Sequence, residues 1–133
     1  MQEFLLRWKM EDGRWKMQRF EKLTVYKQAL ALVDMIYEIS RKFPKEETYN
    51  ITSQLRRAAI SIPLNIAEGQ GRGSKKSNKQ FLLVARGSAY ELVALYDICG
   101  KRGYLEEGLK EVMYSTTIEV ISMLNGLINY MER

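Results

Sequence analysis

Histidine is absent from all 133 residues, and with it go the commonest general base, the commonest metal ligand and most nucleophile-activating pairs. The Glu-x-x-His di-iron chemistry that many four-helix bundles host is excluded on the same ground. Cysteine is nearly absent: Cys99 stands alone, so neither an intrachain disulfide nor a multi-cysteine metal site can form, which fits a reducing cytosol. No apolar run approaches the roughly 18 to 20 residues of a membrane span, so no membrane partner is expected. A signal-peptide layout is missing too, because Arg7 and Lys9 follow Phe4-Leu5-Leu6 at once. The expectation is a cytoplasmic protein without enzymatic activity, cofactor or metal.

What is present is a chain of one-domain size, 46% hydrophobic and 28% charged, long enough to bury a core without covalent staples. Its net charge of +5 is unevenly spread. Residues 56–86 carry Arg56, Arg57, Arg72, Lys75, Lys76, Lys79 and Arg86 against Glu68 alone, whereas residues 87–133 are net acidic. A basic middle suits phosphate backbones or an acidic protein surface.

Strand signals are missing throughout, while helical periodicity is nearly continuous from Leu23 onward. The first helix is expected from Thr24 to Lys42. It carries two apolar stripes, Leu23/Tyr26/Leu30/Val33/Tyr37 and Val25/Ala29/Leu32/Ile36/Ile39/Phe43, about 110° apart. One can face the core and the other a second subunit; Leu32 and Ile36 are taken as the subunit-facing set. Pro44 and residues 45–50 form a loop. The second helix is expected from Ile51 to Glu68, apolar on almost every side and kinked at Pro63, whose freed carbonyl is a natural partner for Asn65 or Ser88. Gly69, Gly71 and Gly73 end it. Ser77-Asn78-Lys79-Gln80 reads as a capping box opening the third helix, whose stripe Phe81/Ala85/Ser88/Leu92/Leu95/Cys99 stops near Gly100 and Gly103. The fourth helix starts near Leu105, with Leu109, Val112, Thr116, Val120, Met123, Leu127 and Tyr130 inward. Short connections make the assembly all-α, an antiparallel up-down-up-down four-helix bundle.

Residues 1–19 read as an N-terminal extension and residues 20–133 as the bundle domain. In the extension Arg7-Trp8-Lys9-Met10 recurs as Arg14-Trp15-Lys16-Met17. Such a basic-aromatic repeat can stack on single-stranded bases, but the favoured reading is a flexible, disordered or loosely docked terminus.

Several residue groups invite a chemical reading. Arg56 and Arg57 can grip phosphate or an acidic partner, or pair with Glu68 or Glu91 within the protein. Ser61, Pro63, Asn65 and Glu68 interrupt a buried helix and fit a packing role, with a small polar pocket at the proline as the functional alternative. Residues 69–76 superficially resemble a phosphate-binding loop, but the order is wrong for a P-loop. As a flexible cationic loop leading into a helix they remain credible. Glu106, Glu107 and Glu111 are explained by the fourth helix's N-terminal dipole without a metal.

The run Gln54-Leu55-Arg56-Arg57-Ala58-Ala59-Ile60-Ser61-Ile62-Pro63-Leu64-Asn65-Ile66-Ala67-Glu68-Gly69 closely resembles the signature of four-helix-bundle proteins encoded by 23S ribosomal RNA intervening sequences. Phe43-Pro44, Ala85-Arg86-Gly87-Ser88 with Glu91-Leu92, and Gly103-Tyr104-Leu105 fit in order, so the resemblance spans residues 20–131. It implies an all-α fold that assembles into homo-oligomeric rings, pentamers being known among relatives, with no associated enzymatic activity. Related proteins include the accessory variability proteins of diversity-generating retroelements, basic bundles that work with a reverse transcriptase and nucleic acid. The resulting expectation is an oligomer, itself its first partner, that binds RNA or DNA through Arg56, Arg57, Arg72, Lys75, Lys76 and Lys79. A reverse transcriptase or another protein is the further partner. The alternative is a protein–protein scaffold without direct nucleic-acid contact.

Overall fold

The computed structural model describes the backbone of residues 8–11, 14–17 and 23–133, and side chains from residue 23 onward. Four helices, α1 (Thr24–Ser40), α2 (Ile51–Gln70), α3 (Lys75–Lys101) and α4 (Glu107–Met131), pack in chain order, and α1 closes the circuit against α4. Cross-helix pairs run in opposite chain order: Asp97 meets Lys110, Arg86 meets Asn125, and Lys79 meets Glu132. The fold is therefore the expected all-α antiparallel bundle. No helix among the described residues is long and apolar enough to cross a membrane.

Ahead of the bundle, β1 (Trp8–Glu11) pairs antiparallel with β2 (Arg14–Met17), Trp8 opposite Met17 and Glu11 opposite Arg14. This hairpin corrects the expectation of a chain without strand signals. Trp8-Lys9-Met10 of the first copy thus lies opposite Trp15-Lys16-Met17 of the second. The expected boundary between residues 19 and 20 lies outside the described residues, and so does the proposed stacking role of the Trp8 and Trp15 side chains.

The core is filled mainly by Val25, Ala29, Leu32 and Ile36 of α1, Leu55, Ile62 and Ile66 of α2, Leu82, Leu92 and Tyr96 of α3, and Met113, Val120, Leu124 and Ile128 of α4. Each buried Leu or Ile contributes about 1.5–3 kcal/mol. On α1 it is thus the Leu32/Ile36 stripe that faces inward, both residues being fully buried, while Leu30 and Tyr37 of the other stripe are exposed. The assignment of Leu32 and Ile36 to a subunit contact is overturned: with their spacing matched by a second apolar stripe, only the position of α2 and α4 decides which side is core. The α4 stripe is likewise displaced by about one residue. Met113, Thr117, Val120, Leu124 and Ile128 are buried, whereas Val112 and Tyr130 are exposed.

Tyr96 and Thr117 carry a polar contact into this core. Thr117 donates to the Met113 carbonyl at 2.8 Å, so the 2.8 Å contact with Tyr96 is a bond donated by the phenol. Burial pushes the Tyr96 phenol up to about 12, and burial with the Glu47 charge pushes the Cys99 thiol up to about 11. Both protons are held more tightly in the folded chain than in the unfolded one. Stability is therefore full below the unfolded values and lost as pH rises through the folded ones. Urea denaturation is expected to show a decline beginning near pH 9, where free thiol titrates, and steepening between about 10 and 12. Tyr96→Phe is expected to lessen the steeper part, to which the Tyr104 phenol and the Lys110 ammonium, both also raised, contribute; an unchanged profile sinks the assignment.

The turns explain the helix ends. The Ser74 hydroxyl caps α3 by accepting from Ser77 N–H at 3.2 Å, so the cap lies one turn ahead of the expected Ser77 box. At the other end of α3, Gly103 has φ +78°, with Tyr104 N–H on the Cys99 carbonyl at 2.9 Å and Gly103 N–H on Gly100 at 3.1 Å. That is a Schellman turn, and the left-handed residue is a glycine because a Cβ there meets the next carbonyl. Below it Tyr104 donates to Glu47 Oε2 at 2.7 Å and Asn50 to Oε1 at 3.1 Å, clipping the α1–α2 loop to the α3–α4 turn. The Tyr104 bond is the main reason that the Glu47 carboxyl lies below its ordinary range.

α2 runs unbroken through buried Pro63 to Gln70. Asn65 and Ser88 do not seek the carbonyl that proline frees. Asn65 donates to the Ser61 carbonyl and hydroxyl at 2.7 and 3.0 Å, and Ser88 donates to the same hydroxyl at 2.8 Å. Gly69 also departs from expectation, being a packing residue inside α2 and not its terminator. A Cβ there would collide with Asn78 Oδ1 and stand 3.1 Å from the Phe81 Cβ. Asn78 is buried, and its Oδ1 has no hydrogen-bond partner among the described residues because it faces this glycine. Gly69→Ala gains roughly 0.8–1 kcal/mol in helix propensity. Overpacking costs typically 1–3 kcal/mol, so a net loss near 1 kcal/mol is expected by urea denaturation, partly recovered in Gly69→Ala/Asn78→Ser. A more stable single variant overturns the packing role.

Candidate nucleic-acid interface

The six expected cationic residues do not form one site. Arg56 is half-buried and spent on packing: its Nε donates to Ser40 Oγ at 3.0 Å and its guanidinium lies 4.5 Å from the Tyr37 ring centroid. Adjacent Arg57 points elsewhere, as a 100° step requires, and makes no hydrogen bond or ion pair with the described residues. It lines a shallow polar pocket of about 360 Å³ with Gln54, Ala58, Ser61, Ser88 and Glu91. Of the residues expected at a polar pocket by the proline, only Ser61 lines it, Pro63, Asn65 and Glu68 lying outside the lining, and Arg57 and Glu91 do not pair across it.

Fifteen residues separate Arg57 from Arg72, roughly 22 Å of helix. At that far end the chain turns from α2 into α3 and brings Arg72, Lys75, Lys76 and Lys79 together within eight residues. The helix geometry then selects their partners. Arg72 reaches back one turn to Glu68 at 3.7 Å and lies 4.7 Å from the Phe81 ring centroid. Lys75 stands 4.8 Å from the ring centroid of Tyr130, and Lys79 pairs with Glu132 at 3.0 Å, both on the last turn of α4 and beyond. Lys76 is exposed and has no ion pair with the described residues. Arg86 lies further up α3, donating to Asn125 at 2.8 Å.

The arrangement is thus four cations, two carboxylates and two rings at one end of the bundle. Both ion pairs are substantially exposed and contribute about 0–1 kcal/mol each, so an incoming phosphate can replace either carboxylate at little cost. The i, i+4 spacing of Glu68 and Arg72 made one pair readable beforehand. Glu132 and Tyr130 had no such signal, since only the return of α4 carries them to α3. Among the described residues no group of three or more acidic, cysteine or histidine side chains is placed to hold a metal.

The family model of the 23S rRNA-intervening sequence protein matches residues 21–126, which is most of the chain and contains every helix up to the last turn of α4. The chain belongs to that family. Its bundle is also similar to the crystal structure, at 1.70 Å resolution, of a protein with unknown function from the S23 ribosomal protein family of Bacteroides thetaiotaomicron VPI-5482. The TM-score is 0.73 at 19% identity, covering 79% of this chain and 98% of that one, a likeness of fold. No curated protein matches. Within the 23S rRNA-intervening sequence family, then, this member presents its cations at the α2–α3 turn and a separate arginine beside the α2–α3 pocket.

Proposed function

We propose that this chain is a non-catalytic, oligomeric bundle that binds RNA or DNA through Arg72, Lys75, Lys76 and Lys79, with Arg57 as a separate contact. The observation that carries the reading is the turn itself: four cations in eight residues, Lys76 without an ion pair among the described residues and Arg72 and Lys79 paired with exposed carboxylates. Self-association supplies the avidity that a weak single site lacks. Its surface is the outer stripe of α1 together with α2, where Leu30, Tyr37 and Leu64 are exposed and Tyr26 and Val33 half-buried. A ring, a pentamer as the resemblance implies, repeats the cationic turn once per subunit.

The test is a salt titration of binding to a labelled oligonucleotide. Counterion release makes log K fall linearly with log salt, by about 0.7–0.9 per phosphate contacted. A salt-independent or absent affinity, with the oligomer intact by sedimentation, favours the second reading. In that reading the exposed apolar stripe builds a protein scaffold that recruits a polypeptide, a reverse transcriptase among the candidates.

A further inference from the structure

We infer that the cationic turn takes single-stranded nucleic acid, with unpaired bases stacked on the outer face of the Arg72 guanidinium and on Tyr130. The inference rests on the nucleic-acid reading above and names the ligand class. Arg72 is packed against Phe81 on one side while its side chain stays about half exposed, leaving the other guanidinium face open. Tyr130 is exposed, with the Lys75 ammonium over one face of its ring, 4.8 Å from the centroid. Cations therefore alternate with planar groups, the combination on which unpaired bases stack while their phosphates are neutralised.

Size and charge argue against a duplex. Residues 75–79 rise only about 6 Å along α3, with Arg72 in the turn before it. Duplex DNA carries one charge per roughly 1.7 Å, and its bases hide their faces, so it would meet this short surface through phosphate alone. It would also bring that dense charge up to Glu68 and Glu132, which a more sparsely charged single strand can thread between.

The experiment uses the full chain and fluorescence anisotropy with three probes of equal length: a single-stranded RNA, its duplex and an abasic strand. The single strand is expected to bind about tenfold tighter than the other two. Tyr130→Leu and Arg72→Lys are each expected to weaken it about tenfold with the salt slope unchanged, while Tyr130→Phe retains affinity. Both sites are exposed, and circular dichroism checks that the helices persist. Equal binding of all three probes overturns the stacking inference and leaves phosphate contact standing. Binding of none overturns both readings. Wild-type affinity in Tyr130→Leu and Arg72→Lys together also overturns the inference, because the preference then comes from elsewhere.

Discussion

Ile36→Glu is expected to destabilise the fold by several kcal/mol, and Leu30→Glu, less than two turns away on the same helix, to leave the fold intact and remove self-association. Ile36 is fully buried among core residues, so glutamate there places an unpaired carboxylate in an apolar site. Stranding a buried charge costs roughly 3–5 kcal/mol, which consumes much of a stability of about 5–15 kcal/mol. Leu30 is 43% exposed, and a substitution at such a surface position typically stays within about 0.5 kcal/mol. Circular dichroism in urea separates the two variants by stability, and sedimentation at micromolar concentration reads the assembly. An Ile36→Glu chain as stable to urea as its parent contradicts the core described above. An undiminished assembly in Leu30→Glu moves the subunit contact away from the outer stripe of α1.

The second large effect is expected from changing Arg72, Lys75, Lys76 and Lys79 together to Gln. Oligonucleotide binding at low salt should collapse, and whatever remains should show a flatter salt slope, each lost phosphate contact removing about 0.7–0.9. The fold should survive because the ion pairs sacrificed among the described residues, with Glu68 and Glu132, are exposed and individually weak. Helicity and sedimentation are the controls. If the quadruple variant binds like its parent, the turn is a solvated surface and Arg57 becomes the cation to examine.

The bundle was legible because its helices repeat apolar residues at three and four over long stretches and break at Pro44, Gly71 and Gly103. Which stripe faces inward was less legible. α1 and α4 are each apolar on two adjacent sides, and a pattern of period 3.6 is the same whichever side is buried. Leu32 against Leu30, or Met113 against Val112, is decided by neighbours that the local sequence does not contain. The hairpin was signalled more plainly than the expectation allowed. Asp12-Gly13, between two four-residue segments, is a dipeptide that favours a two-residue hairpin turn. At the candidate interface the cations were readable as a cluster, yet their partners on α4 were not, since Lys79 and Glu132 stand 53 positions apart in the chain.

The packing is uneven around the circuit: α2 and α3 share the largest interface, and α1 meets α4 along the smallest. Because nearly all contacts join consecutive helices, loop closure during folding is short-range, and a fast collapse on the microsecond-to-millisecond scale follows from that topology. Pairing the first and last helices closes the longest loop of the circuit. Native-state hydrogen exchange should therefore be graded, with amides of α1 opening before those of α2 and α3, whose protection approaches that of global unfolding.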